Sequence, residues 1–263
     1  MRSAVKVCEI DRTVMYSVLN HAFKALQVQP RTIELGVCKG DNAQHLLERL
    51  APKPLVLVDS WNAASLDAYS PFDPLPDWVD PPETYDFYFG GPTREQATWD
   101  RLYAGCQQRF AGQPDVHIVR SFSDTAIPGI QAVAGTDPFD LVYVDASHQY
   151  EYVLRDLMLY QDLVGPNGCF MLNDCCHSLA GMRQNLGVLE AVGHFLKRSG
   201  FAPVAITNTD WSDVVLARRG SLMEQALHLS LLNSDVAFVD IPDQLLPAAR
   251  LVRGDQRAHL CFN

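Results

Sequence analysis

No stretch of the 263 residues approaches the roughly 20 consecutive apolar residues a membrane-spanning helix needs, and no signal-peptide core opens the chain. The sequence therefore predicts a soluble, cytoplasmic protein. It also has little positive charge, with 21 Lys and Arg against 31 Asp and Glu for a formal net charge of -10, and no Lys/Arg-rich run. Such a surface repels nucleic acid phosphates and anionic lipid, which excludes both as expected partners and leaves small neutral or cationic molecules. The seven cysteines are odd in number and lack the paired spacing of a structural metal site. Most lie in apolar strand-like runs, which fits buried reduced thiols. Internal repeats and low-complexity segments are absent as well.

What the chain does contain is a rhythm. From Asp11 to Val28 apolar residues return at Val14, Val18, Ala22 and Leu26, supported by Leu19 and Phe23, which makes one face of a helix capped by Asp11. Thr32 to Val37 reads as a short buried strand running into Gly36 and Gly40, after which Asp41 opens a helix through Leu50. Further apolar strands stand at Pro54 to Asp59, Val116 to Ser121, Asp140 to Asp145 and Gly168 to Asp174, each with a polar residue at its carboxyl end. Helical patterns at about Thr93 to Ala111, Gln149 to Leu163 and Leu189 to Arg198 separate them. Strands alternating with helices pair in parallel and are covered on both faces. Phe201 to Thr207 and Val214 to Arg218, joined by a polar turn, read as a hairpin.

The fold class is accordingly α/β: a doubly wound, mostly parallel Rossmann-like sheet with an antiparallel edge strand and helices on both faces. Residues 1–220 form one domain, and 221–263, a helix to about Leu232 followed by a proline-punctuated tail, form an extension packed on it. The proline- and aromatic-rich stretch 61–92 is too long for a plain connection. It reads as a lid over the site or as a contact between copies in a homo-oligomer.

Ligands of open α/β sheets bind beyond the carboxyl ends of the strands, and the polar residues above fall there. Glu34-Leu35-Gly36-Val37-Cys38-Lys39-Gly40 is a loop whose glycines would let backbone approach a ligand. Cys38 stands where a dinucleotide fingerprint has its second glycine, which disfavours nicotinamide and flavin cofactors. Asp59, one βαβ step later, is placed to accept hydrogen bonds from a ribose diol. The plainer readings are a tight turn and a solvated strand-end acid. Asp145 ends another strand and His148 follows three residues on, where an imidazole of pKa about 6.5 suits a general base; pinning the loop is its plainer role. Asp145 and Asp174 end neighbouring strands, so their carboxylates could converge on one hard cation. In the following helix Val153, Leu157 and Tyr160 form the buried stripe, with the charges, Asp156 among them, facing water.

These segments, ELGVCKG, LVDSW and above all DLVYVDASHQYEYVLRDLMLYQDLVGPNGCFMLND, resemble class I methyltransferases of the macrocin O-methyltransferase type. The resemblance is good over Thr32 to Asp174 and loose elsewhere. It implies a seven-stranded sheet with its last strand antiparallel, S-adenosylmethionine (SAM) as donor, and often Mg2+ or another divalent metal at the acceptor hydroxyl. The acceptor would be a small molecule such as a glycosyl unit of a natural product. Carried over by position, Glu34, Gly36 and Gly40 would line the methionine part of SAM. Asp59 would hold the ribose, flanked by Ser60 and Trp61, while Ser121 and Phe122 would lie beside the adenine. Asp145 would border cofactor and acceptor, with His148 as base.

In metal-dependent members the acid matching Asp174 is followed by another acid or an asparagine, whereas here Cys175, Cys176 and His177 follow, and a thiolate is a poor magnesium ligand. Three readings stand: magnesium or manganese on Asp145, Asp174 and another oxygen; a softer metal taken by Cys175 or His177; or no metal, with His148 working alone. Beside O-methylation stand N-methylation or transfer of another SAM-derived group, and SAM binding without turnover.

Overall fold

Several strands are apolar on both faces, and that decides their place in the middle of a sheet. Ile33 and Leu35, Val56 and Val58, and Val142 and Val144 enter one core. Leu55 and Leu57, and Leu141 and Tyr143, enter the other. Strands of this kind need cover on both sides. The computed structural model describes residues 4–68, 74–253 and 258–262.

In chain order, β1 (Ala4–Cys8) leads to α1 (Arg12–Ala25), β2 (Thr32–Leu35), α2 (Asp41–Leu50) and β3 (Leu55–Asp59). Next come the short α3 (Asp86–Phe89), α4 (Gln96–Arg109), β4 (Val116–Arg120), α5 (Ile127–Ala134), β5 (Phe139–Val144), α6 (Tyr150–Tyr160) and β6 (Val164–Leu172). The chain continues through α7 (Leu179–Arg183), α8 (Val188–Leu196), β7 (Phe201–Thr207), β8 (Val214–Arg218) and α9 (Leu222–Leu232). It closes with β9 (Phe238–Pro242), β10 (Arg250–Arg253) and β11 (Ala258–Cys261). Helices α5, α6 and α8 cover one face of the sheet; α1, α2, α4 and α9 cover the other.

The strand order is β4-β3-β2-β5-β6-β8-β7-β1-β9. From β4 to β6 all neighbours run parallel. The expected hairpin is present, with β8 antiparallel to both β7 and β6. Two expectations are corrected: the sheet has nine strands instead of seven, and the antiparallel β8 lies inside it instead of at its edge. The additional pair is β1, parallel to β7, and β9, antiparallel to β1. Lys6 hides this pair from a hydropathy reading, since it sits in the middle of β1 and is buried. Its ammonium is satisfied by Asp240 of β9, 2.7 Å away, and by the Phe238 ring at 4.1 Å. The α1 face is also turned from expectation, with Met15 and Tyr16 buried and Val14 39% exposed.

The chain runs outward from β2 through β3 to β4 and then returns to β5 on the other side of β2. The crevice beyond Leu35 and Val144 is therefore the switch point where such sheets bind ligands. All seven cysteines are free. Among the described residues no helix is long and apolar enough to cross a membrane.

Candidate active site

The loop after β2 depends on Gly36 and Gly40, whose φ values are 85° and 78°. Contacts within the protein already require both glycines, whatever ligand approaches the loop. A Cβ on Gly36 would stand 2.0 Å from the carbonyl oxygen of Asp145, and one on Gly40 would stand 2.8 Å from the Phe110 ring. The loop is thus pressed onto the end of β5.

Asp59 holds it there. Its Oδ2 accepts from the Val37 and Cys38 amides at 3.0 and 2.9 Å, and its Oδ1 accepts from the Trp61 amide at 2.8 Å. Burial raises the Asp59 carboxyl above its ordinary value, against the pull of these amides. The Ser60 amide also acts on this carboxyl, so backbone donors engage most of its acceptor sites within the protein. Trp61 is fully buried, and its Nε1 donates to the Cys38 carbonyl at 2.9 Å. Trp61 therefore ties the loop after β3 to the loop after β2; Ser60, beside it, is partly exposed. Cys38, Trp61 and Asp174 all have positive φ, at 49°, 40° and 57°. Each such non-glycine residue costs roughly 1–3 kcal/mol, and these three stand just past the carboxyl ends of β2, β3 and β6.

Glu34 lies fully buried beneath the loop. Its Oε1 accepts from Asn42 at 3.1 Å, Asn42 in turn accepts from the Tyr16 hydroxyl at 2.6 Å, and Oε2 has no hydrogen-bond partner among the described residues. Burial raises this carboxyl well above its ordinary value. An orphaned carboxylate oxygen close to Asp59 and Asp145 suits a ligand that brings a cationic centre and hydrogen-bond donors, as SAM does.

In the segment expected beside the adenine, the Ser121 amide donates to the Asp59 carbonyl at 2.9 Å, and the Phe122 ring is 41% exposed. Asp156, expected to face water, is instead 1% exposed and holds this segment. It accepts from Ser123 Oγ at 2.7 Å, while the Tyr160 hydroxyl donates to the Ser123 carbonyl at 2.8 Å. Burial pushes the Asp156 carboxyl up to about 6, although Ser123 and Arg155 pull it down. The sequence signal was there: Val153, Asp156, Leu157 and Tyr160 follow the i, i+3, i+4, i+7 spacing of a single helix face. Asp156→Ala is expected to loosen the Ser121–Thr125 segment and weaken SAM binding by calorimetry about tenfold, or ~1.4 kcal/mol. An unchanged affinity in folded protein would contradict this role.

His148 stands between two acids. Its Nε2 is 3.1 Å from Asp145 Oδ1 and its Nδ1 is 3.2 Å from Asp174 Oδ2. Burial opposes the charged ring, but Asp174 and Asp145 outweigh it and push the pKa up to about 10. Asn173 Nδ2 also donates to Asp145 Oδ1, at 3.0 Å.

The residues named for a metal do not assemble into a centre. Cys175 is fully buried in the core under α6 and α8, where a thiol packs as a small apolar group. The His148 ring separates Asp145 from Asp174, and His177 lies beside Glu190 at 3.5 Å. Among the described residues no group of three His, Cys, Asp or Glu side chains is arranged to hold an ion.

Part of the 61–92 insert, residues 69–73, lies outside the described residues. Among the contacts that tie down the remainder, two reach it from α7 and from the β2 loop. Arg183 of α7 grips Asp80 with two hydrogen bonds of 2.9 and 2.7 Å. The Lys39 ammonium bonds the Tyr88 carbonyl and lies 4.3 Å from its ring centre. Phe87 is 98% exposed. Sequence reasoning missed Arg12 altogether: from the first turn of α1 its guanidinium reaches Asp213 at 2.9 Å, Asn173, and Asp145 at 3.7 Å. The available signal was an arginine directly after the Asp11 cap, at the helix end that disfavours a cation.

Residues 33–175, more than half of the chain, match the model of a methyltransferase domain family. No curated protein matches the chain. Among solved structures it is similar to the N-methyltransferase NodS from Bradyrhizobium japonicum WM9, at 9% identity and a TM-score of 0.49, covering 79% of this chain and 94% of that one. The methyltransferase PaMTH1 from Podospora anserina, bound to S-adenosylhomocysteine, gives 13% identity and a TM-score of 0.47 over 80% of each chain. A ribosomal protein L11 methylase from Lactobacillus delbrueckii subsp. bulgaricus gives 13% and 0.43 over 81% of each. With the family match spanning the β2 loop, Asp59 and the Asp145–His148 segment, the chain belongs to the methyltransferase domain family and is a SAM-dependent methyltransferase.

Proposed function

We propose that the enzyme methylates a hydroxyl of a small molecule, the Asp145–His148 pair taking the hydroxyl proton. The observation that carries this reading is that His148 rests on Asp145, whose backbone abuts Gly36 of the cofactor loop. A base so placed stands beside the methionine end of the cofactor. Glu34, the Gly36–Gly40 loop and Asp59 would hold the methionine and ribose parts of SAM, and Ser121 and Phe122 the adenine. When bound, SAM supplies a methyl group on a sulfonium. A hydroxyl is a poor nucleophile, so the protein has to align its oxygen and remove its proton. In the acting form Asp145 keeps the proton on Nε2 while Nδ1, turned from Asp174, receives the acceptor's proton. Trp78, Phe87 and Tyr88 on the insert would cover the acceptor and exclude water.

A doubly protonated ring is not a base. With its pKa raised to about 10, the singly protonated fraction of His148 grows with pH throughout the neutral range. Initial rates are therefore expected to climb by about tenfold per pH unit between pH 7 and 9; a flat profile would contradict His148 as base. Incubation with SAM and a panel of glycosides and phenols, read by mass for one added methyl, tests the acceptor class. Transfer at full rate by Asp145→Asn would sink the proposed pair, and methylation confined to amines would sink the hydroxyl acceptor.

A further inference from the structure

We infer that Arg12 is a positioning residue for the Asp145–His148 pair: it fixes the amide of Asn173 and, through that amide, the carboxylate of Asp145. The inference rests on the proposed function only in treating this pair as the proton acceptor; the geometry itself stands apart from that reading. Arg12 opens α1, where the positive end of the helix disfavours a cation. Its guanidinium leaves the helix end for the strand tips. Nε donates to Asp213 Oδ1 at 2.9 Å, and Asp213, 1% exposed, also accepts from the Tyr143 hydroxyl at 3.0 Å. The guanidinium is thus held by a carboxylate on the turn between β7 and β8.

The consequence falls on Asn173. A guanidinium can only donate, so the Asn173 group bonded to Arg12 Nη2 has to be its carbonyl oxygen. That orientation sends Nδ2 the other way, to Asp145 Oδ1 at 3.0 Å. The same Oδ1 lies 3.1 Å from His148 Nε2, while Oδ2 faces Arg12 Nη1 at 3.7 Å. Asp145 is therefore oriented from both oxygens, and its hydrogen bond to His148 depends on an amide that Arg12 sets. No hydrogen bond or ion pair joins Arg12 to Glu34, Asp59 or Ser121 among the described residues. The Arg12 charge also acts on Glu34 from a distance, so Arg12→Lys, which keeps that charge, should disturb the pair while leaving cofactor binding in place.

Histidine-labelled full-length protein provides the test, read as the ring 15N resonances of His148 at fixed pH and assigned by their loss in His148→Gln. In Arg12→Gln the Nε2 resonance is expected to move, and in the charge-keeping Arg12→Lys SAM affinity by calorimetry is expected to stay within about twofold. Asn173→Ala should move it in the same way, and the double variant no further, because both substitutions act on one carboxylate. Arg12→Lys keeps the charge but not the fork that joins Asp213 to Asn173; it should also move the resonance, and serves in place of Arg12→Gln if that variant does not fold. A role confined to stability would lower the melting temperature and leave Nε2 where it is. An unmoved Nε2 in folded Arg12 variants, or displacements that add in the double variant, overturns the inference. Failure of the proposed function looks different: His148→Gln would methylate at the wild-type rate whether or not Nε2 responds to Arg12.

Discussion

Replacing His148 by alanine is expected to lower methyl transfer by about 100-fold or more, the usual range for a positioned general base, while SAM affinity stays within about twofold. The expectation follows from where the ring stands. His148 bonds Asp145 and Asp174, and among the described residues no hydrogen bond or ion pair joins it to Glu34 or Asp59, so its removal leaves the Gly36–Gly40 loop alone. Asp174→Asn gives a signed companion result. Asp174 is the strongest of the influences that raise the His148 pKa, so its neutralisation lowers that pKa and brings the rise of rate with pH to completion at a lower pH. The same charge bears on stability. A histidine held above its unfolded value of about 6.5 contributes fully below that pH, and the contribution is lost as pH rises through about 10. Rates measured near pH 10 therefore need a parallel check that the protein is folded.

The second large effect is expected at Gly36. An added Cβ would meet the Asp145 carbonyl oxygen at 2.0 Å, and the backbone φ of 85° is one that L side chains rarely adopt. Neither atom can yield, because Asp145 N–H bonds the Leu35 carbonyl at 2.8 Å and the Gly36 N–H bonds the Val58 carbonyl at 2.9 Å. Gly36→Ala must push β2 and β5 apart at the point where the β2 loop and the end of β5 touch. Calorimetry on the folded variant is expected to show SAM binding weakened by about 100-fold or more, ~2.7 kcal/mol. Gly40→Ala, whose Cβ meets the Phe110 side chain at 2.8 Å, should cost less, since a ring edge can shift. Equal affinities for wild type and Gly36→Ala would mean that the loop does not bind the cofactor.

Much of the fold is legible in the residues because the central strands carry their own signature. Leu55–Asp59 and Phe139–Val144 are apolar on both faces, which places them in mid-sheet before any partner is known. The flanking pair β1 and β9 is illegible for the opposite reason. Lys6 in β1 and Asp240 in β9 each argue against a buried strand when taken alone, and only their 2.7 Å contact, 234 residues apart in sequence, makes both acceptable.

The site divides in the same way. Asp145 and His148 lie on one short segment and are found from its pattern. Arg12, Asp213 and Asn173 come from three distant segments and meet only after folding. Cys175 shows how far position alone can mislead: it follows a candidate ligand in sequence, yet the turn at Asp174, with φ of 57°, sends it into the core. Asp59 shows a milder case, in which a strand-end acid expected to wait for ribose already spends three acceptor sites on the amides of its own protein.

A crystal structure of the protein soaked with S-adenosylhomocysteine reaches the centre of the account in one measurement. The sulfur is expected in the crevice between the Gly36 loop and the end of β5, the ribose at Asp59, and the His148 ring bordering the open space where the methyl group would point. An adenosyl group bound elsewhere, or a sulfur shut off from His148 by intervening protein, would contradict it.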